Sequence, residues 1–358
     1  MNARENFIKI NTYEKPDALP LLVIEPIETS TIARWKKEGL PENTDVYSFL
    51  GIHKLNYLPI DWRALPGFPC ETVSEDAEYI VAKEHNGCTV RRRKEDPDMY
   101  YGYIDHPVKS RADWEEYKKR FTPDIASRLH SGWTLNTLNK MNSHEAPTGL
   151  LFFPWFFRLG FYTMGMEKFL ITFAEDPDWI HDMFSFWTDF TISLISPVLD
   201  LVHADFALFA EDLAYKTSTH VSPAMYREFW FPYQDKLTAL LQQKKVPVIC
   251  MWSAGNINPI LPDLLTHGFN CTWPLENLAD GMDPFLIRKK YGKKLLLGGG
   301  ISKTALIDGP EAIKKEIKRL TPLIREGGYI PALDDMVPPE VPFSHYRYLT
   351  EALRNFPL

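Results

Sequence analysis

The chain has 358 residues, of which 45% are hydrophobic and 24% are charged, the composition of an ordinary globular protein with a large core. Its net charge of −7 argues against nucleic-acid and anionic-membrane partners, because such partners require clustered positive charge. Residues 1–9 lack an apolar signal core, and no segment approaches the ~20 apolar residues that span a bilayer, so we expect a cytoplasmic protein.

Eight short apolar runs, each followed by turn or helix signals, predict β-strands. In chain order they cover residues 20–25, 54–60, 148–153, 205–210, 246–251, 269–273, 294–297 and 328–331. In the second half, helical patterns over 222–243, 257–265 and 310–325 alternate with the strands, as in a parallel sheet with helices packed outside. We therefore predict one α/β domain over residues 1–358, a (β/α)8 TIM-type barrel, rather than the two domains that length alone would allow.

The segment between the second and third predicted strands has a different pattern. Residues 78–103 show short alternating segments around Asn86-Gly87, a favoured hairpin turn. We interpret about residues 76–105 as a β-rich insertion in the N-terminal third of the barrel, followed by a helix near residues 110–120.

Two carboxylate pairs follow predicted strands directly. Asp334-Asp335 comes after the last strand and Glu211-Asp212 after the fourth, where a closed barrel would have its carboxyl-terminal mouth. Adjacent strand residues point to opposite faces, so one member of Glu211-Asp212 can face the cavity. Clustered carboxylates raise one another's pKa, which leaves a protonated general acid near neutral pH. These four residues are the catalytic candidates, and capping of turns or helices is the alternative.

Aromatic and polar residues near the strand ends are the candidates for substrate binding. Phe156, together with Trp252 and Trp273, predicts a flat apolar wall for an aromatic ring. Arg158 is predicted to anchor an anionic substituent, with a structural salt bridge as the equal alternative. The remaining candidates follow other predicted strands and bind polar groups or cap helices: Glu25, Tyr215, Asn256 and Glu276.

Three stretches resemble the uroporphyrinogen decarboxylase superfamily, which includes corrinoid-dependent methyltransferases. They are FAEDLAYK at residues 209–216, GGGISK at residues 298–303 and GGYIPALDD at residues 327–335. The resemblance covers roughly residues 145–355 and extends only loosely to the N-terminal third. It implies a (β/α)8 barrel with its site in the mouth.

The chain also departs from the superfamily pattern. Members that activate thiols carry a His-x-Cys pair after strand five that binds zinc, but here Trp252 and Ala254 stand at the corresponding positions. Neither side chain can bind zinc, so no zinc site of that type is expected. A regrouping of Cys250, Cys271 and Glu211 around a metal is the less favoured alternative. The decarboxylase branch carries an arginine segment after strand one, where this chain has acidic residues, which disfavours a porphyrinogen substrate.

The resemblance thus implies a methyltransferase that moves a methyl group between a small substrate and a corrinoid. We expect that cobalamin to be carried by a separate corrinoid-binding protein, the mouth carboxylates to act as general acid, and the substrate to be a methoxylated aromatic. Two alternatives stay open, a decarboxylase of a small aromatic or heterocyclic acid and a non-catalytic ligand-binding barrel. A homo-oligomer is also left open.

Overall fold

The computed structural model describes residues 2–24, 26–95 and 100–358, and for residues 100 and 101 it describes the backbone only. Within these residues, the strands form a seven-stranded sheet, a two-stranded sheet and a four-stranded sheet. The strands are β1 (Leu22–Val23), β2 (His53–Lys54), β3 (Asn56–Tyr57), β4 (Glu71–Glu75), β5 (Tyr79–Lys83), β6 (Thr89–Arg93), β7 (Tyr100–Asp105), β8 (Thr148–Phe152), β9 (Phe206–Ala210), β10 (Val248–Trp252), β11 (Cys271–Leu275), β12 (Leu296–Ile301) and β13 (Tyr329–Leu333).

The main sheet is parallel and curled, with the strand order β13-β12-β11-β10-β9-β8-β3. This confirms the predicted α/β class with a parallel sheet. The second predicted strand is divided at Leu55, because β2 pairs with β1 whereas β3 pairs with β8. Among the described residues, a single bridge between Ile27 and Val337 links the segments that follow β1 and β13.

A separate antiparallel sheet has the strand order β4-β5-β6-β7. Its central turn contains Gly87, whose φ of 87° is the left-handed conformation that glycine adopts without strain. The sheet occupies the part of the chain in which the sequence predicts β-structure around Asn86-Gly87.

Most of the helices occupy connections between strands. They are α1 (Ala3–Asn11), α2 (Thr29–Lys37), α3 (Val46–Leu50), α4 (Arg111–Lys118), α5 (Ile125–Arg128), α6 (Phe156–Met164), α7 (Met166–Glu175), α8 (Pro177–Leu199), α9 (Pro223–Met225), α10 (Phe231–Gln243), α11 (Leu261–Thr266), α12 (Pro284–Tyr291), α13 (Lys303–Asp308), α14 (Pro310–Glu326) and α15 (Phe343–Arg354), with 3-10 turns at Leu135–Ser143 and Gly292–Lys294. A π-helical turn, Tyr226–Trp230, joins α9 to α10 inside the predicted helix 222–243. In the described chain, none of these helices is long and apolar enough to cross a membrane.

The concave face of the parallel sheet is apolar and lines a small cavity. Phe206 and Leu208 of β9 line this cavity, as do Cys250 of β10 and Trp273 of β11. Gly298 makes room for the indole, because an added Cβ there would lie 1.8 Å from the Cε3 atom of Trp273. These residues define the inner face of the sheet. Because side chains alternate between the two faces of a strand, every second residue after them along the strand also points to the inner face.

Candidate active site

The end of β9 separates two adjacent carboxylates onto opposite faces. Phe206 and Leu208 point inward, so the same parity directs Asp212 inward and Glu211 outward. The contacts agree, because Glu211 is fully buried and both of its carboxylate oxygens accept the N–H of Phe157 at 3.1 Å. Glu211 therefore lies against the first turn of α6 and not in the mouth.

Glu211 also fixes the position of Arg158. One Glu211 oxygen accepts the Arg158 N–H at 3.1 Å, and the other accepts the Trp230 indole N–H at 3.3 Å. Burial raises the pKa of Glu211 to about 8, although these hydrogen bonds and the Arg158 charge lower it. Because structural donors occupy its oxygens, Glu211 is placed as a positioning residue for Arg158.

Arg158 and Asp212 form an ion pair at the mouth. The Arg158 Nη2 atom lies 3.2 Å from Asp212, and Nη1 donates to the Tyr162 hydroxyl at 3.1 Å. The guanidinium also stacks over the rings of Trp252 at 5.0 Å and Phe153 at 5.3 Å. The structure thus places a cation at the mouth that is held by a carboxylate and two aromatic rings.

Asp212 faces the same space as the carboxylates that follow β13. Burial raises the pKa of Asp212, the Arg158 charge lowers it, and repulsion from Asp335 raises it again, leaving the pKa above its ordinary value. This interaction brings together residues that follow two different strands, β9 and β13. Asp212 and Asp335 are therefore close enough for their charges to interact.

Asp334 is fully buried and has one carboxylate oxygen in use. Its Oδ1 accepts the Lys303 N–H at 2.9 Å, whereas its Oδ2 has no hydrogen-bond partner among the described residues. Burial raises the pKa of Asp334 to about 6, against the lowering effect of Lys303, and the charges of Asp335 and Glu276 raise it further. The Lys303 ammonium pairs with Asp335. Asp334 is therefore a carboxyl group that takes up a proton close to neutral pH.

Other polar candidates hold the loops around the mouth. Glu276 accepts the N–H of Gly255 at 2.8 Å. Both ends of the Asn256 amide bind backbone, since its Nδ2 donates to the Thr217 carbonyl at 2.9 Å and its Oδ1 accepts the N–H of Asn258 at 3.1 Å. These contacts tie the loops that follow β9, β10 and β11 to one another.

The structure does not assemble the aromatic wall predicted from Phe156, Trp252 and Trp273. Phe156 is fully buried in the helical layer and stacks on Phe184 of α8 at 4.4 Å, because the first turn of α6 directs it away from the sheet interior. Trp273 lies in the apolar cavity below the mouth, and Trp252 lies beneath Arg158.

The two remaining predicted residues have different positions. Tyr215 is an exposed residue on the rim. Glu25 lies outside the described residues.

Sequence reasoning missed Lys303, Phe153 and Tyr162 as members of the mouth. Lys303 had a usable signal, since it follows β12 and the carboxyl ends of parallel strands meet at one edge. Phe153 follows β8 in the same way, but Tyr162 reaches Arg158 only because α6 brings positions four residues apart onto one face.

No group of three or more His, Cys, Asp or Glu side chains in residues 2–24, 26–95 and 100–358 is arranged to hold a metal ion. Cys250 and Cys271 are neighbours on β10 and β11 and face the inner cavity, whereas Glu211 faces the helices. The alternative metal group of these three residues is therefore divided between two faces of the sheet. The absence of zinc stays a prediction.

Comparisons with known proteins place this geometry in a family. The model of the family "Uroporphyrinogen decarboxylase (URO-D)" matches residues 80–356. A uroporphyrinogen decarboxylase from Pseudomonas putida is 30% identical over 132 residues, which are 35% of this chain and 35% of that protein. The match thus spans about a third of that relative's length.

A solved structure is similar over nearly the whole chain. A methyltransferase from Methanosarcina mazei superposes with a TM-score of 0.66 at 17% identity, and the match covers 99% of each chain. A likeness at this identity shows a shared fold. Because the family model covers most of the chain, this protein belongs to the uroporphyrinogen decarboxylase family.

Proposed function

We propose that this protein is a methyltransferase that moves a methyl group between a small substrate and a corrinoid carried by a partner protein. The observation that supports this most is the buried carboxyl group of Asp334, with a pKa of about 6 and one oxygen without a partner among the described residues. Loss of a methyl group from an ether leaves an oxygen anion that needs a proton. A neutral carboxylic acid held at the site supplies that proton without zinc.

The residues of the mouth divide this work between them. Asp334 holds the proton and gives it to the leaving oxygen, which keeps the electron pair of the broken carbon–oxygen bond. The Lys303 N–H fixes the orientation of the carboxyl group, and the Lys303 charge stabilises the carboxylate that remains. Across the mouth, the ion pair of Arg158 and Asp212 offers hydrogen-bonding groups for a neutral polar group of the substrate.

The rim of the mouth is compatible with an apolar partner surface. When bound, the corrinoid supplies the nucleophile that accepts the methyl group. Two large hydrophobic side chains on the loops after β9 and β11 are exposed: Tyr215 and Leu278. We propose that these residues contact the corrinoid-binding protein at the mouth.

We also propose that the chain forms one eight-stranded (β/α)8 barrel domain, with the four-stranded sheet as an insertion. The parallel pairing of β1 with β2 and the bridge between Ile27 and Val337 support closure of the sheet. The family model and the structural neighbour are compatible with this arrangement.

A decarboxylase is the second candidate, and the cations of the mouth favour it. Arg158 and Lys303 could bind a substrate carboxylate, and Asp334 could protonate the carbanion formed when carbon dioxide leaves. Both cations are already paired, to Asp212 and Asp335, so a substrate carboxylate would have to displace those acids. We therefore place this function second.

Products distinguish the candidates. Purified protein is incubated without oxygen with free cob(I)alamin and a panel of methoxybenzoates, and the loss of cob(I)alamin absorbance is followed together with release of carbon dioxide. Methyl transfer that Asp334→Asn slows is the expected result. Release of carbon dioxide without cob(I)alamin would favour the decarboxylase. Binding without either product would indicate a non-catalytic barrel.

A further inference from the structure

A second cavity lies beside the mouth, between the four-stranded sheet and α6. Its walls carry several aromatic rings, among them Trp62, Tyr103, Phe153 and Tyr162. Ligand pockets in proteins are lined mostly by apolar and aromatic side chains with a few polar groups, so this aromatic cleft has the lining of a ligand site.

The aromatic cleft opens at the same edge of the sheet as the candidate active site. Trp62 follows β3 and Phe153 follows β8, and these two strands are parallel neighbours. Phe153 and Tyr162 both contact Arg158, one through its ring and the other through its hydroxyl. Arg158 in turn binds Asp212. A molecule in the cleft that contacts Phe153 or Tyr162 would therefore be separated from Arg158 by one side chain.

A buried cation beside the cleft fixes the chain segment that carries Trp62 and Arg63. The guanidinium of Arg128 is almost completely buried and binds backbone carbonyls: its Nη2 donates to Arg120 at 2.6 Å, its Nε to Thr122 at 3.1 Å and its Nη1 to Arg63. These bonds join the segment that carries Trp62 to the end of α4. The cleft is therefore formed by tertiary contacts and does not depend on a loose loop.

The lining favours a planar aromatic ligand. Phe153 and Tyr103 both line the cleft, pack against Tyr162 with ring centroids 6.0 Å and 5.5 Å away, and are 39% and 37% exposed. Aromatic rings gain from stacked and edge-to-face contacts beyond the area that they bury. Arg63 also lines the cleft, and its guanidinium forms an ion pair with Asp61 through Nη2 at 2.6 Å and Nε at 2.9 Å.

We propose that the aromatic cleft binds the aryl ring of the substrate, so that its methyl-bearing group extends past Arg158 into the mouth. The identification of this ring as part of the methyl donor rests on the proposed function. The predicted aromatic wall is thus replaced by rings from β7, α6 and the residues after β3 and β8. The ligand class is a small, planar aromatic acid with a methoxy substituent.

The test is calorimetric titration of 4-methoxybenzoate into the full chain. Phe153→Ala and Tyr103→Ala each remove one exposed ring and should weaken binding by about 10-fold or more. Phe49→Ala is the matched control, because Phe49 is 44% exposed on α3 and does not line the cleft, and it should bind as the wild type does. The non-planar 4-methoxycyclohexanecarboxylate should bind at least about 10-fold more weakly than the aromatic acid.

Thermal melts of each variant establish folding, and if one variant is unfolded the other decides. Unchanged affinity in the folded variants, equal binding of the cyclohexane acid, or no binding by the wild type would overturn the proposal. If binding depends on the aromatic rings but no methyl transfer occurs, the cleft is a binding site for aromatic acids and the proposed methyltransferase function is wrong. If the protein transfers methyl groups but Phe153→Ala leaves the KM unchanged, the methyltransferase stands and the aromatic cleft is not the binding site of the substrate ring.

Discussion

Replacement of Asp334 by asparagine should make the protein more stable at neutral pH and inactive at the same time. The pKa of Asp334 rises from 3.8 to about 6 on folding because the carboxyl group is buried. The folded protein therefore keeps a proton in the range between about pH 4 and pH 6 that the unfolded chain has released. Stability from this group is greatest below that range and falls as pH rises through it.

The size of this effect follows from the pKa difference. Roughly two pKa units correspond to about 3 kcal/mol of free energy of unfolding lost above pH 6. About 1.4 kcal/mol of that loss falls between about pH 5 and pH 7.5. Asparagine stays neutral and keeps an oxygen that accepts the Lys303 N–H. The difference in free energy of unfolding between Asp334→Asn and the wild type should therefore grow by about 1.4 kcal/mol between about pH 5 and pH 7.5.

The assay is urea unfolding of wild type and Asp334→Asn at the two pH values. Subtracting the two proteins removes the contribution of all other titrating groups. Turnover per folded molecule should fall roughly 10²- to 10⁴-fold, because the amide cannot donate a proton as the acid does. A variant that is less stable at both pH values and retains its turnover would show that Asp334 only caps the turn and is not the general acid.

Three further results are expected. In Lys303→Met, loss of the charge that lowers the Asp334 pKa should move the falling limb of the kcat/KM against pH profile to higher pH, and an unchanged profile would argue against Asp334 as the acid. Glu211→Ala leaves the N–H groups of Phe157 and Arg158 without their acceptor, so the free energy of unfolding should fall by about 2 kcal/mol or more. Glu211→Gln keeps an acceptor oxygen and should lose less. Urea unfolding measures both variants, and an equal loss would contradict the role of Glu211 in capping α6. Elemental analysis of protein purified without chelator should find zinc far below one equivalent, and near-stoichiometric zinc would disprove the zinc-free site.

The strands of the main sheet were predictable because both of their faces are buried. Such strands read as continuous apolar runs, and predicted strands 148–153 and 205–210 correspond closely to β8 and β9. The first two predicted strands were less well defined. Their hydrogen-bonded segments are only two residues long, and Leu55 divides the second of them between two sheets.

The sequence predicted that the site residues lie at strand ends, but it did not predict the direction in which each side chain points. Glu211 and Asp212 were equivalent in the sequence, since choosing between them requires the phase of β9 relative to the inner face. Phe156 was misplaced for a similar reason, because the chain turns into α6 before that residue and carries the ring into the helical layer. Burial of Asp334 likewise depends on tertiary packing.

The most direct test of the account is the fate of the methyl group. A 4-methoxybenzoate labelled with carbon-13 in its methoxy group is incubated with the protein and free cob(I)alamin, and the labelled carbon is located by NMR. A methyltransferase with Asp334 as its acid should give 4-hydroxybenzoate and labelled methyl on the corrinoid in equal amounts, with both lost in Asp334→Asn. Demethylation that proceeds without corrinoid, or carbon dioxide as the product from an intact methoxy ring, would contradict it.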